Sequence, residues 1–361
     1  MGVFQRPAWR TWHARGLRSI IREKYTVIII STLVLGIVVG LFTPAPGVAI
    51  RKISTFLIII MIGAMGFTIT FKSLGTAARD WKSFLLGVVL NFVFAPLLCW
   101  LLALLFLSNH PDLAIGLILI GVVPCAGMAL VWAGLLKGDV PLATVINAAT
   151  MIVAPFLIPL LMRLFAGTFV SIDTAAMFKT VMITVLLPVL AGVVLREVME
   201  RKVDVKKHLP LMPALSATAA ILLMFMAINT AVPAVAGNLG LIGSLVASTI
   251  LVFPILFLVA YLISVKLLPR GKNIAITFSS GMKNLPIAVG IAVMSFKGLV
   301  MFPIAVAFAF QMLTAVSFYQ IFLRSLPAGS PQPTGPSQGV KKPGGIGQDA
   351  KSVSEEKGAM R

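Results

Sequence analysis

The sequence predicts an all-α polytopic membrane protein, and three observations predict it. Of its 361 residues 59% are hydrophobic and only 11% charged, with a mean hydropathy of +1.02; a soluble domain carries about a quarter charged residues. The apolar residues gather in ten stretches, roughly 25–42, 50–71, 83–107, 113–136, 140–165, 176–198, 213–233, 240–266, 273–296 and 299–323. Each is close to the roughly 20 residues a helix needs to cross the hydrocarbon. The strict alternation of barrel strands is absent, so helices are the spanning form.

The first stretch follows a basic leader, residues 1–24. Its apolar run is too long for a signal core and Thr43-Pro44-Ala45-Pro46 is a poor cleavage site, so it is read as the first helix. With the amino terminus in the cytoplasm, the inner side holds Arg6, Arg10, Arg15, Arg18, Arg22 and Lys24, then Lys72, Arg79, Lys82 and Lys137. It also holds Arg196, Arg201, Lys202, Lys206 and Lys207, three basic residues over 266–272 and six from Arg324 onward. The outer side receives only Arg51, Lys52, Arg163, Lys179 and Lys297. This asymmetry places both termini in the cytoplasm of a plasma-membrane protein. It also accounts for the net charge of +19 without nucleic acid, because the basic residues lie between apolar runs and not on one phosphate-binding face. The leader, with Trp9 and Trp12, is either an interfacial segment on anionic lipid or a solvated orientation signal. Residues 326–361, rich in Pro, Gly, Ser and charge, are expected to be a disordered cytoplasmic tail.

Ten helices split as five plus five have the parity of an inverted repeat, 25–165 against 176–323. An offset of 160 residues aligns Gly121 with Gly281, Lys137-Gly138 with Lys297-Gly298, and Val140 with Val300. Each copy carries a proline within an apolar stretch, Pro124 near Gly127 and Pro286 near Gly281. A proline removes a helical hydrogen bond and crowds the preceding turn, so helix breaks are expected at both places. Backbone groups freed at membrane depth must be buried in protein or line a polar cavity.

No acidic residue and no histidine falls in an apolar core. That excludes intramembrane aspartate dyads and His-Glu-x-x-His zinc sites, and neither a nucleophile elbow nor a phosphate loop appears, so no enzyme activity and no cofactor is expected. Left in the core are Lys283, Asn284, Asn91, Asn147, Asn229, Gln311, Ser279, Ser280, Thr144, Thr150 and Cys125. Lys283 is the strongest signal, since a lysine at the bilayer centre costs on the order of 3 kcal/mol. Snorkelling to an interface is the competing reading, which its central position argues against. Cys125, directly after Pro124, would be presented at a break where amide dipoles and an ammonium favour a thiolate. Cys99, beside Trp100, reads as filler, and two such cysteines make no disulfide framework. The amides could be interhelical glue, but single polar residues on several helices favour a solute pathway.

The run Pro124-Cys125-Ala126-Gly127-Met128-Ala129-Leu130-Val131-Trp132, followed by Lys137-Gly138-Asp139, resembles the bile acid:sodium symporter superfamily, and within it the arsenical-resistance-3 class of arsenite efflux permeases. The resemblance implies a core of helices three to five and eight to ten, with broken helices four and nine crossing at mid-membrane. Helices one, two, six and seven would form a panel. The class's essential cysteine falls on Cys125, an asparagine of helix five near Asn147, and the sodium-site glutamine of helix three near Asn91. The symporters' helix-nine motif Glu-x-Gly-x-Gln-Asn falls on Ser279-Ser280-Gly281-Met282-Lys283-Asn284, so serine stands for the acidic sodium ligand and lysine for the glutamine. The expected function is sodium-independent efflux of arsenite or antimonite, with Cys125 as a transient metalloid ligand and Lys283 in the place of sodium. Uptake of a small organic anion, bile-acid-like or pantoate-like, is the alternative, with Lys283 as counter-charge. A non-transporting sensor or scaffold is the remaining one. The partners expected are the substrate and the lipid bilayer.

Overall fold

The computed structural model describes residues 25–68, 80–200, 211–296 and 298–325, which are helical with no strands among them. The basic leader, the tail, the loops carrying Lys72, Arg79 and Arg201 to Lys207, and Lys297 lie outside the described residues. Helices α1 (Tyr25–Phe42), α2 (Ala45–Lys52) and α3 (Ser54–Gly66) are followed by α4 (Trp81–Phe106), α5 (Pro111–Val122) and α6 (Met128–Leu135). Then come α7 (Val140–Phe165), α8 (Thr174–Glu200), α9 (Leu211–Val235) and α10 (Leu239–Leu267), and finally α11 (Arg270–Gly281), α12 (Leu285–Ser295) and α13 (Met301–Arg324). Helix is present in every one of the ten apolar stretches. Among the described residues six helices are by themselves long and apolar enough to cross a membrane, or seven spans if the bent pair α1–α2 is one.

The second stretch differs from the single helix expected over 50–71. The chain turns by 113° after α1, runs through the eight residues of α2, and restarts at Ser54. Pro46 opens α2, where its missing N–H costs nothing. Asn229, fully buried on α9, holds the bend: its Oδ1 accepts the Gly47 N–H at 2.9 Å and its Nδ2 donates to the Thr43 carbonyl at 3.1 Å. Glue is therefore what the structure makes of this amide.

Both expected breaks are present. Val123 is extended (φ −70°, ψ 154°), as the residue before a proline must tend to be, and α5 ends at Val122. The second break precedes its proline: α11 ends at Gly281, Met282 is extended, and Pro286 sits in the first turn of α12. A helix running through would set the Pro286 ring against the Met282 carbonyl. The two glycines matched in the sequence both mark close approach. A Cβ on Gly121 would meet the Ala95 carbonyl of α4, and one on Gly281 would fall within the Phe257 ring of α10. Gly127 has open space where its Cβ would be.

The helices pack in two groups. Helix α9 lies on α1, α2 and α3, and α8 on α3; α4 packs on α5, α10 on α11 and α13, and α6 on α11. An aromatic cluster locks the second group, with Trp132 of α6 stacked on Phe278 of α11 (5.8 Å, 13°) and edge-on to Tyr319 of α13 (5.6 Å).

Candidate functional site: two interrupted helices and a buried ammonium

The breaks meet. Cys125 and Lys283 form an isolated antiparallel bridge, with the Ala126 N–H donating to the Met282 carbonyl (2.8 Å) and the Asn284 N–H to the Pro124 carbonyl (2.9 Å). Two side chains complete it: the Lys283 N–H donates to Gln311 Oε1 of α13 at 2.8 Å, and the Cys125 N–H to Thr150 Oγ1 of α7 at 3.4 Å. The amides of Cys125, Ala126, Lys283 and Asn284 thus find acceptors, as burial away from water requires. Two half-helices, α6 and α12, begin here, the latter capped by Asn284, whose Oδ1 accepts the Ile287 N–H (3.4 Å). Their N-termini bring positive dipole ends to the crossing.

The Lys283 side chain does not snorkel. It is 0% exposed, and its Nζ donates to two oxygens of one residue, the Asn91 carbonyl at 3.1 Å and Asn91 Oδ1 at 3.2 Å. The backbone of α4 explains why that carbonyl is available. Leu90–Phe94 is a π turn, in which the Ala95 N–H bonds to the Leu90 carbonyl instead of Asn91's. The next donor in line, residue 96, is a proline and has no N–H. The Asn91 carbonyl is left without a helical partner, and the ammonium takes it. Asn91 Nδ2 donates to the Gly87 carbonyl (2.9 Å) and the Ser279 carbonyl (3.1 Å), so the amide that receives Lys283 is itself fixed between α4 and α11.

A cavity of about 250 Å³ abuts the crossing. Lys283, Asn284, Asn147 and Gln311 form its polar end together with Gly127 and Pro286, and most of the rest of its wall is apolar, including Met65, Met128, Leu130, Val131, Met151, Phe308 and Met312. Residues of α3 and α9 close its other side, so it lies between the two packing groups. Asn147 Oδ1 is buried there without a partner.

Of the residues singled out in the sequence, Lys283, Asn284, Asn147, Gly127 and Pro286 therefore meet at the cavity. Asn91 stands behind Lys283 as its acceptor. Ser279 and Ser280 are buried on α11 with unpartnered hydroxyls and form no part of the cavity wall. Neither do Pro124, Gly281 or Cys125. Cys125 is 0% exposed and its Sγ lies 3.4 Å from the Ala126 carbonyl, while its neighbours Ala126 and Gly127 line the cavity. The Lys283 ammonium is engaged by Asn91, and among the described residues it makes no hydrogen bond to the thiol. Gln311, a buried polar residue in the sequence, turns out to carry the second break. Its only signal there was an amide on an apolar helix.

Two interrupted helices exchanging backbone hydrogen bonds beside a cavity with a polar end define a class of polytopic helical membrane proteins. A family model described as the Sodium Bile acid symporter family matches residues 55–238, half of the chain, and the chain belongs to that family. The match includes Asn91, Cys125 and Asn147 and stops short of Lys283. The chain is 35% identical over 164 residues to the probable sodium/metabolite cotransporter BASS1, chloroplastic, of Oryza sativa, which covers 45% of this chain and 39% of that protein. It is 29% identical over 168 residues to the uncharacterized sodium-dependent transporter YocS of Bacillus subtilis (46% and 52%). It is 26% identical over 195 residues to the arsenical-resistance protein Acr3 of Alkaliphilus metalliredigens (48% and 55%). The chain spans about half the length of these relatives, or less.

Proposed function

We propose that the chain is a sodium-independent secondary transporter of a small organic anion, with Lys283 as its built-in cation. The observation that carries this is the Lys283 ammonium bound to the orphaned Asn91 carbonyl and Asn91 Oδ1, in a residue that also lines the largely apolar cavity. Neutral oxygens hold the charge in place without cancelling it, so one positive charge and two half-helix N-termini remain to attract an anion, while the apolar wall suits its body. Asn284 and Asn147 would contact the substrate, and Asn91, held by the Ser279 carbonyl, would support the ammonium from behind.

In this reading ten spans form two inverted five-helix repeats in the plasma membrane. The matched breaks and the close-approach glycines Gly121 and Gly281 favour that symmetry. Both termini face the cytoplasm, and the group α4–α7 with α10–α13 moves as a core against a panel of α1–α3, α8 and α9. The cavity reaches Thr68 and Ala214, at helix ends beside loops rich in Lys and Arg, and so faces the cytoplasm. The test is uptake of labelled pantoate into proteoliposomes. Expected are equal rates with sodium or choline outside, and a loss of about a hundredfold in Lys283→Met, the scale of two hydrogen bonds to a charge. A steep sodium requirement would reject the built-in cation.

Efflux of arsenite or antimonite is the second reading, favoured by Cys125 at the crossing and by the Acr3 relative. It requires the crossing to open, since Cys125 is fully buried and forms no part of the cavity wall. Growth of a metalloid-sensitive host on arsenite, with the wild type against Cys125→Ser, decides it: protection by the wild type that the mutant lacks would replace the anion reading.

A further inference from the structure

Gln311 has two ends, and the fold uses only one of them. It is 3% exposed on α13, its Oε1 accepts the Lys283 N–H at 2.8 Å, and its side chain lines the cavity. An N–H can be received only by the oxygen of an amide, so the Lys283 backbone fixes which way the group is turned. The nitrogen is then forced to the other side. Among the described residues Gln311 Nε2 donates to nothing, and it is absent from the fully buried unpartnered atoms. The cavity that Gln311 shares with Lys283, Asn284 and Asn147 is the space left for its two N–H donors.

We infer that Gln311 is a specificity-determining residue: its Nε2 is an oriented donor to an oxygen of the substrate's anionic group, held in register by the break that it also satisfies. This rests on the anion reading of the cavity and deepens it. A point charge such as Lys283 attracts any anion, whereas a fixed amide donor selects for acceptor oxygens, as in a carboxylate, over a spherical ion.

Gln311→Glu separates the two ends. A glutamate keeps an oxygen for the Lys283 N–H, so folding is retained, but it replaces the donors with a carboxylate that repels an anion. Gln311→Leu removes both ends. Each variant and the wild type are measured in detergent by the thermal shift that a panel of carboxylates (pantoate, pyruvate, 2-oxoisovalerate) produces, and in proteoliposomes by KM and kcat for whichever acid shifts the wild type most. Expected for Gln311→Glu is an unliganded melting temperature like the wild type's and a KM raised tenfold or more, the scale of one hydrogen bond to a charged group, with kcat changed far less. Gln311→Leu is expected to raise KM similarly and to melt lower as well. A wild-type shift that Gln311→Glu leaves undiminished, or a KM that does not move, overturns the role of Gln311 alone. Absence of any carboxylate shift in the wild type overturns the anion reading, and the inference with it.

Discussion

The placing of Lys283 depends on a backbone irregularity remote from it in sequence, in the spacing of five between Asn91 and Pro96. A buried lysine costs on the order of 3 kcal/mol, and each hydrogen bond to a charged group returns roughly 1.5–3 kcal/mol. Two bonds to Asn91 are enough to offset burial, and one of them exists because a π turn and a proline leave a carbonyl unused. Two predictions follow at this scale. Asn91→Leu, which removes Oδ1, is expected to cost about 2 kcal/mol in thermal or denaturant unfolding. Pro96→Ala restores an N–H that can claim the Asn91 carbonyl, so uptake of the transported acid should fall although α4 itself is not weakened. Uptake equal to the wild type's in Pro96→Ala would show that the free carbonyl is not what holds the ammonium.

Among elements, two connections rest on single polar side chains. Asn229→Leu strips partners from the Gly47 N–H and the Thr43 carbonyl at the α1–α2 bend, and leaving buried backbone groups unmatched costs about 1–3 kcal/mol each. A lowered melting temperature is expected, and an unchanged one would mean that water or the membrane satisfies the bend. At the start of α4, Asp80 pairs with Lys272 of α11 at 2.6 Å and accepts from Ser83. The Lys272 ammonium holds the Asp80 carboxyl below its ordinary value of 3.8 despite partial burial. A depressed carboxylate stabilises above its unfolded pKa and loses that contribution as pH falls through the folded one. Asp80→Asn should therefore cost under about 1 kcal/mol at neutral pH, because both partners are about a third exposed, and nothing once the pH is below both values. Melting curves at pH 7 and pH 3 measure the difference.

The two packing groups meet along a seam that holds two cavities. The 250 Å³ cavity lies on it beside the crossing, and a second cavity of about 330 Å³ lies where the start of α8 (Asp173, Ala176, Thr180) meets the end of α12 (Met294, Ser295, Phe296). Between them α12 rests on α3: Gly290 faces Ile58 closely, and the Thr55 hydroxyl lies 3.6 Å from Met294 Sδ. If transport alternates across this seam, a disulfide in Thr55→Cys/Met294→Cys should stop uptake and a reductant should restore it. The reduced and oxidised forms should differ little if the seam is static.

Much of this architecture was legible in the residues alone. Length and hydropathy of the ten stretches located helix in every one, because apolar runs in lipid can satisfy their backbones only internally. Pro124 and Pro286 announced both breaks, since a missing N–H and a ring clash are local effects. Lys283 stood out because its desolvation is costly wherever the chain folds. The α1–α2 bend was not legible, because Asn229 is far away in sequence and nothing in its own neighbourhood marks it as a clasp.

What the sequence by itself determined, then, are the properties set within a few residues: where the chain must be helical, where it must break, and which side chain cannot be left uncompensated. Only the tertiary structure decided the partners. It gave the Lys283 ammonium hydrogen bonds to Asn91, drew Gln311 to the second break, and buried the Cys125 thiol away from the cavity wall. Those outcomes turn on distances of a few tenths of an ångström between helices remote in sequence, and hydrogen bonds are decided at that range, not by composition.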